Sequence, residues 1–164
     1  MANKQIKIRL VRDNAQLPES KKGNWYDCFT SGLYVSHEGT VDLRLAKHYM
    51  KTKGVVKVYS GDTLVVFLGF ATDMGKGYEG ELRPRSSTFN KYGLILGNSV
   101  GTIDDSYNGD NDEWVGVFYC TRPGFIPVNS RLLQMNVKKS TKCDFIKVDT
   151  LGNEDRGGYG TTGQ

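Results

Sequence analysis

The 164 residues include three cysteines, two histidines and four prolines. Cys28, Cys120 and Cys143 are odd in number, far apart and form no C-x-x-C pair. That pattern argues against a zinc site or a disulfide framework and leaves free thiols. No stretch approaches the ~20 apolar residues of a membrane span, so no membrane partner is expected. The opening MANKQIKIRL alternates charged and apolar residues without an apolar signal core, which predicts a cytoplasmic protein. The 22 Lys and Arg nearly balance the 18 Asp and Glu, and the net +4 is spread along the chain. This is no footprint of a non-specific nucleic-acid binder, and no nucleic-acid partner is expected.

What is present is β-structure. IKIRLV, VVKVYS, TLVVFLGF, GYEGELRPR, YGLILGN, WVGVFYCT, LLQMNV and CDFIKVDTL are rich in Val, Ile, Tyr and Phe. Gly, Asp and Asn turns separate them, so each reads as a strand. Many short strands at regular spacing predict an all-β sandwich or barrel in one domain. LRLAKHYMKT (43–52) and SSTFNKYG (86–93) are the two places with helical character, the second closed by Gly93. The chain then changes composition. LGNEDRGGYGTTGQ is polar and glycine-rich, which predicts a domain over 1–150 and a tail over 151–164.

Four patches carry chemistry. In GELRPRSST a strand ends in Arg-Pro-Arg, and two serines follow. Hydroxyls and free N–H groups there suit an anion, although a plain serine N-cap has the same sequence. In GNSVGTIDDSYNGD the pair Thr102-Ile103 leads into Asp104, Asp105 and Tyr107, in what reads as a β-hairpin. In SRLLQMNV, Gln134 sits inside an apolar strand, where a buried amide requires a partner from a neighbouring strand or a ligand. In the tail, Arg156 offers a planar fork for phosphate, Gly157 and Gly158 permit close backbone approach, and Tyr159 can stack on a flat ring. Together these features point to a nucleoside triphosphate with the tail as a lid.

The four segments, in this order, resemble the trimeric dUTP pyrophosphatase (dUTPase) family, in its phage-type form. RPRSS (83–87), GTIDDSYNG (101–109) preceded by Gly97-Asn98, RLLQM (131–135) and RGGYGTTG (156–163) match the second to fifth family motifs. The first motif departs from its usual Ala-Gly-x-Asp-Leu. GNWYDCF offers Asp27 and GTVDLRLA offers Asp42; the distance from the first strand favours Asp27. On that choice much of 29–57 is an insertion.

The resemblance implies an all-β, distorted jelly-roll barrel with one short helix and a flexible glycine-rich C-terminal tail. It implies hydrolysis of dUTP to dUMP and pyrophosphate, with Asp104 as the base that deprotonates the attacking water. Arg85, Ser86, Ser87 and Gln134 are expected at the phosphates, although Arg85 suits an ion pair equally. Asn98, Gly101, Thr102 and Ile103 are expected to read the uracil edge, and Tyr107 to pack on the deoxyribose and block a 2′-hydroxyl. Arg156 is expected on the γ-phosphate, and Gly158 and Tyr159 in the lid over the base. Mg²⁺ is implied on the triphosphate, with Asp27, or Asp42 in the competing assignment, holding one of its waters. A homotrimer with shared sites is implied, and a host regulatory protein is a candidate partner through the insertion or the acidic SYNGDNDE stretch.

The rivals are a dCTP deaminase of the same fold, a phage regulatory protein, and a jelly-roll binding protein with a loose tail. A deaminase needs a glutamate on the strand after the hairpin. WVGVFYC has none, and Glu113 lies just before it.

Overall fold

A computed structural model describes residues 3–157. The elements are β1 (Lys7–Leu10), β2 (Tyr26–Phe29), β3 (Gly32–Ser36), α1 (Leu43–Tyr49), β4 (Val55–Val58), β5 (Thr63–Phe67) and β6 (Phe70–Asp73). There follow β7 (Tyr78–Pro84), α2 (Thr88–Tyr92), β8 (Leu94–Leu96), β9 (Gly101–Ile103), β10 (Val115–Cys120), β11 (Gly124–Pro127) and β12 (Arg131–Lys139). One four-stranded sheet has the order β3-β5-β10-β8 and the other β2-β12-β7-β9. Two ribbons, β1-β6 and β11-β4, flank them. All these pairings are antiparallel.

The inward faces of both sheets share one core. Cys28, Leu82, Leu133 and Met135 of one sheet join Leu33, Leu64, Val66, Leu96 and Phe118 of the other, with Trp114 and Phe70 among them. Two antiparallel sheets around one core, with ribbons at the margins, form the all-β body that the strand pattern predicted and the distorted jelly-roll that the resemblance implied. β5 reads TLVVF without alternation because both of its faces are covered. Leu64 and Val66 enter the main core, while Val65 and Phe67 pack with Ala46 of α1. The 29–57 stretch therefore contains two sheet strands and a helix that seals the outer face of β5. Among the described residues there are two short helices rather than one, and no helix is long and apolar enough to cross a membrane. α2 ends at Gly93, in the left-handed conformation with φ 68°, where the sequence marks its stop.

Two expectations differ from the structure. CDFIKVDTL forms no strand: the packed body ends with β12, and Phe145, Ile146 and Leu151 are 97%, 84% and 83% exposed. Strand propensity yields a strand only where a ladder partner exists, and this segment has none among the described residues. The hairpin over 97–110 is also not a two-stranded ladder. β9 pairs with β7 alone, and the return arm is a run of side-chain-capped turns. Asp112 Oδ2 accepts the Gly109 N–H at 2.8 Å, and Asn108 Nδ2 donates to the Asp105 carbonyl at 3.0 Å. Such local bonds compete with a ladder.

Candidate active site

The β2-β12-β7 sheet assembles the first cluster. Its register sets Asp27 opposite Gln134, and Gln134 opposite Arg83. Just past the end of β7, Arg85 folds back. Its Nε donates to Asp27 Oδ1 at 2.6 Å, and its backbone N–H donates to the Leu132 carbonyl at 3.1 Å. Arg131 Nη1 donates to Asp27 Oδ2 at 3.3 Å. Asp27 thus holds one arginine on each oxygen, and each oxygen keeps a second acceptor position. Gln134 Nε2 donates to the Pro84 carbonyl at 3.1 Å, the cross-strand partner a part-buried amide needs. Ser86 and Ser87 are exposed in the turn that follows. Ser87 stands at the N-cap position of α2, yet its side chain makes no cap hydrogen bond. The anchoring falls to buried Thr88, whose hydroxyl donates to the Leu132 carbonyl at 2.7 Å. The plain N-cap role is not the one Ser87 plays.

Asp42, the competing assignment, does a different job. It caps α1, accepting the Arg44 N–H at 2.8 Å on Oδ1 and a longer bond from Leu45 N. The cluster with Arg85, Arg131 and Gln134 forms around Asp27, not around Asp42.

The second cluster lies beyond β9. Gly101 packs so closely on β7 that a Cβ there would come within 3.1 Å of Leu82 Cβ. Thr102 is exposed and Ile103 half-buried. Asn98 and Ser99 form the preceding turn, with Ser99 at φ 60° and the Ser99 N–H donating to the Leu96 carbonyl at 3.0 Å. Asp104 is exposed. Its Oδ1 accepts both the Ser106 hydroxyl at 2.5 Å and the Ser106 N–H at 2.9 Å. These two donors, the hydroxyl foremost, hold the Asp104 carboxyl below the usual carboxylate range. A cleft of about 660 Å³ opens beside it, lined by Lys76, Glu79, Asp105, Thr141 and Lys142 among others. Tyr107 is 40% exposed, its N–H bonded to the Asp104 carbonyl and its hydroxyl donating to the Glu113 carbonyl at 3.2 Å. Burial, then the nearby Asp112 and Glu113 carboxylates, raise its phenol above the ordinary value.

The two clusters do not meet in one chain. Ile103 pairs with Gly80, which places Asp104 opposite Glu79, whereas Gln134 lies opposite Arg83. Four residues of strand separate those rows, or about 13 Å at 3.2–3.4 Å per residue. Arg156 is exposed at the end of the described chain, and the expected lid residues Gly158 and Tyr159 lie outside the described residues. Among the described residues no group of three or more His, Cys, Asp or Glu converges to hold a metal ion.

No family model matches the chain. It is 36% identical over 161 residues to the SPbeta prophage-derived deoxyuridine 5'-triphosphate nucleotidohydrolase YosS of Bacillus subtilis, covering 97% of this chain and 98% of that one. The chain belongs to the dUTPase family. The Corynebacterium diphtheriae dUTPase is 36% identical over 110 residues, 66% of this chain and 72% of its own. Among solved structures, a dUTPase variant of Staphylococcus bacteriophage 80alpha with dUpNHpp superposes with a TM-score of 0.72 at 16% identity, over 99% of this chain and all of that one. A dUTPase variant of phage phi11 of S. aureus, described as coordinating a structural Mg(II) ion, gives 0.68 at 16% identity, over 90% and 98% of the two chains. At these identities the structures speak for the fold.

The pairing of Glu113 argues against the deaminase. A deaminase base needs a free carboxylate. Glu113 is buried and bidentate to Arg12, with the Gly69 N–H on Oε1 at 2.9 Å. In this dUTPase it is a structural ion-pair partner. Sequence reasoning missed that pair and the Arg131–Asp27 contact. Neither contact has a local signal that would reveal it.

Proposed function

We propose that this chain hydrolyses dUTP to dUMP and pyrophosphate, with Asp104 as general base. The observation that carries the reading is the state of Asp104. It stands at the end of a short strand pinned to β7, held ionised by Ser106, with both Ser106 bonds on Oδ1. Oδ2 is left to take a proton from water. Water oxygen bonds to the α-phosphorus, the bond from that phosphorus to the α,β-bridging oxygen breaks, and pyrophosphate leaves with the electron pair. Asp104 holds the proton released, an effect typically worth about 10²–10⁴-fold. Asn98 and the backbone of Gly101, Thr102 and Ile103 read the uracil edge, where cytosine would reverse the donor and acceptor pattern and leave site groups unpaired. Tyr107 packs on the deoxyribose.

The phosphates fall to the other cluster. Ser86 and Ser87 offer hydroxyls uncommitted to capping, Arg85 offers its remaining guanidinium N–H groups, and Gln134 approaches the α-phosphate. Arg156, Gly158 and Tyr159 close the site as a lid. The donor set at Asp27 suits water-mediated rather than direct contact with Mg²⁺, because both oxygens already take arginine and each has one acceptor position left. When bound, Mg²⁺ neutralises phosphate charge.

Because about 13 Å separates the two clusters in one chain, the complete site takes its halves from different copies. A homotrimer supplies them. The exposed Phe145, Ile146 and Leu151 support this, since each is worth about 1.5–3 kcal/mol once a neighbouring copy covers it. The test is pyrophosphate release with Mg²⁺ from dUTP, dCTP, dTTP and UTP. Release confined to dUTP is expected. No release from dUTP would refute the reading, and ammonia release from dCTP would replace it with the deaminase.

A further inference from the structure

The Glu113 carboxylate is anchored at three points. Arg12 donates to it from Nε at 3.0 Å and from Nη2 at 2.5 Å, Gly69 donates its backbone N–H at 2.9 Å, and Lys47 Nζ of α1 stands 4.0 Å away. Side-chain exposure is 2% for Glu113 and 15% for Arg12. The pair is thus nearly dry, and a buried carboxylate persists only with such full pairing. The anchors are themselves fixed. The Arg12 guanidinium lies 5.4 Å over the Phe67 ring, and the Val11 N–H donates to the Gly69 carbonyl at 2.8 Å. Gly69 adopts φ +75°, and a Cβ there would overlap Ser31 and Ala15. At the far end of the same residue, the Glu113 carbonyl accepts the Tyr107 hydroxyl at 3.2 Å. Tyr107 lies on a loop of turns with no ladder to stiffen it. The bond at its tip ties the ring to Glu113.

We infer that the Arg12–Glu113 pair is a strut that positions the Tyr107 ring, so that both residues serve discrimination between deoxyribose and ribose although neither touches substrate. The inference rests on the reading of Tyr107 as the residue that packs on the sugar. Removing the Arg12 fork leaves the Glu113 carboxylate under-paired. It then moves toward water, its carbonyl moves with it, and the ring loses its hold.

The experiment is a double-mutant cycle on the full chain, with kcat/KM measured for dUTP and UTP in wild type, Arg12→Met, Tyr107→Phe and the double variant. Arg12→Met is expected to lower the dUTP-over-UTP ratio about tenfold, the worth of one ordinary hydrogen bond. Tyr107→Phe should lower it similarly, and the double variant no further, because both substitutions break one link. Arg12→Lys, which keeps the charge and one donor, should recover part of the ratio. A pair that only stabilises the fold predicts otherwise: an unchanged ratio in folded Arg12→Met, or losses that multiply in the double variant, overturns the inference. Should Arg12→Met not fold, Glu113→Gln and Arg12→Lys carry the same cycle. Should wild type not hydrolyse dUTP, the enzyme reading fails on its own. The strut is then read from the Tyr107 ring resonances by NMR, where a shift in Arg12→Lys supports it and an unmoved ring refutes it.

Discussion

Arg85 and Asp27 lie 58 residues apart in sequence and meet at 2.6 Å. The arginine leaves the end of β7, the aspartate sits on β2, and β12 runs between them carrying Gln134 opposite Asp27. RPRSS and RLLQM thus converge on the Asp27 carboxylate, Arg85 on one oxygen and Arg131 on the other. The side chains of the Arg85–Asp27 pair are 29% and 23% exposed, partly shielded from water, so the contact outweighs a surface ion pair.

Asp27→Asn therefore removes the anion from two half-buried arginines. We expect a loss of about 1–3 kcal/mol, seen as a lower denaturation midpoint, together with weaker Mg²⁺ dependence of activity. Asp42→Ala should lower Tm by about 2–4 °C through loss of a helix cap and leave the kinetics alone. The reverse pattern, with activity lost at Asp42 and kept at Asp27, would reassign the first motif.

On the proposed mechanism, Asp104 sets the acid limb of the pH–rate profile. Ser106 stabilises the charged form, so the folded pKa lies below the unfolded value. The associated stability is present above the unfolded value and is lost as pH falls through the folded one. Activity should follow the same limb, persisting into acid until the carboxylate protonates. Ser106→Ala removes the principal donor and should move the limb to higher pH, while Asp104→Asn should cost about 10²–10⁴-fold in kcat on the plateau above the limb. Profiles of kcat/KM for both variants check this, and an unmoved limb in Ser106→Ala would separate Asp104 from the titration.

The strands that position these groups were legible because their residues repeat a local pattern. β5 and β10 each read as runs of β-branched and aromatic residues between turn signals. α2 was legible from its closing Gly93. CDFIKVDTL misled because propensity says nothing about whether a ladder partner exists, and among the described residues it has none. The turn chemistry of 104–113 was hidden for a related reason: Asp112 and Asn108 satisfy backbone groups that a hairpin would have paired. Long-range pairs such as Arg12 with Glu113 leave no local trace at all.

Gly80 faces the indole of Trp114 across the core. A Cβ at Gly80 would overlap Trp114 Cη2, lie 2.9 Å from Cζ2 and come within 3.3 Å of Ile103 Cβ. Trp114 is fully buried and cannot retreat. Gly80→Ala should cost about 1–3 kcal/mol by overpacking. Because Gly80 pairs with Ile103, the strain reaches β9 and Asp104 directly. A fall in kcat alongside the fall in Tm is expected, and thermal denaturation with steady-state kinetics on one preparation checks both.

The separation of the two clusters makes the strongest demand. If one chain supplies Asp104 and another supplies Gln134, two inactive variants can repair each other. On the proposed mechanism, Asp104→Asn and Gln134→Ala each cripple activity alone, since each spoils one half of every site. Co-expressed in equal amounts they form mixed oligomers. About one quarter of the sites then draw an intact half from each of two different chains, so about a quarter of wild-type activity should return. Were both halves to come from the same chain, no mixed oligomer would contain an intact site. Pyrophosphate release from the co-purified pair distinguishes these outcomes, and silence there would return both halves to a single chain that must bend by about 13 Å to join them.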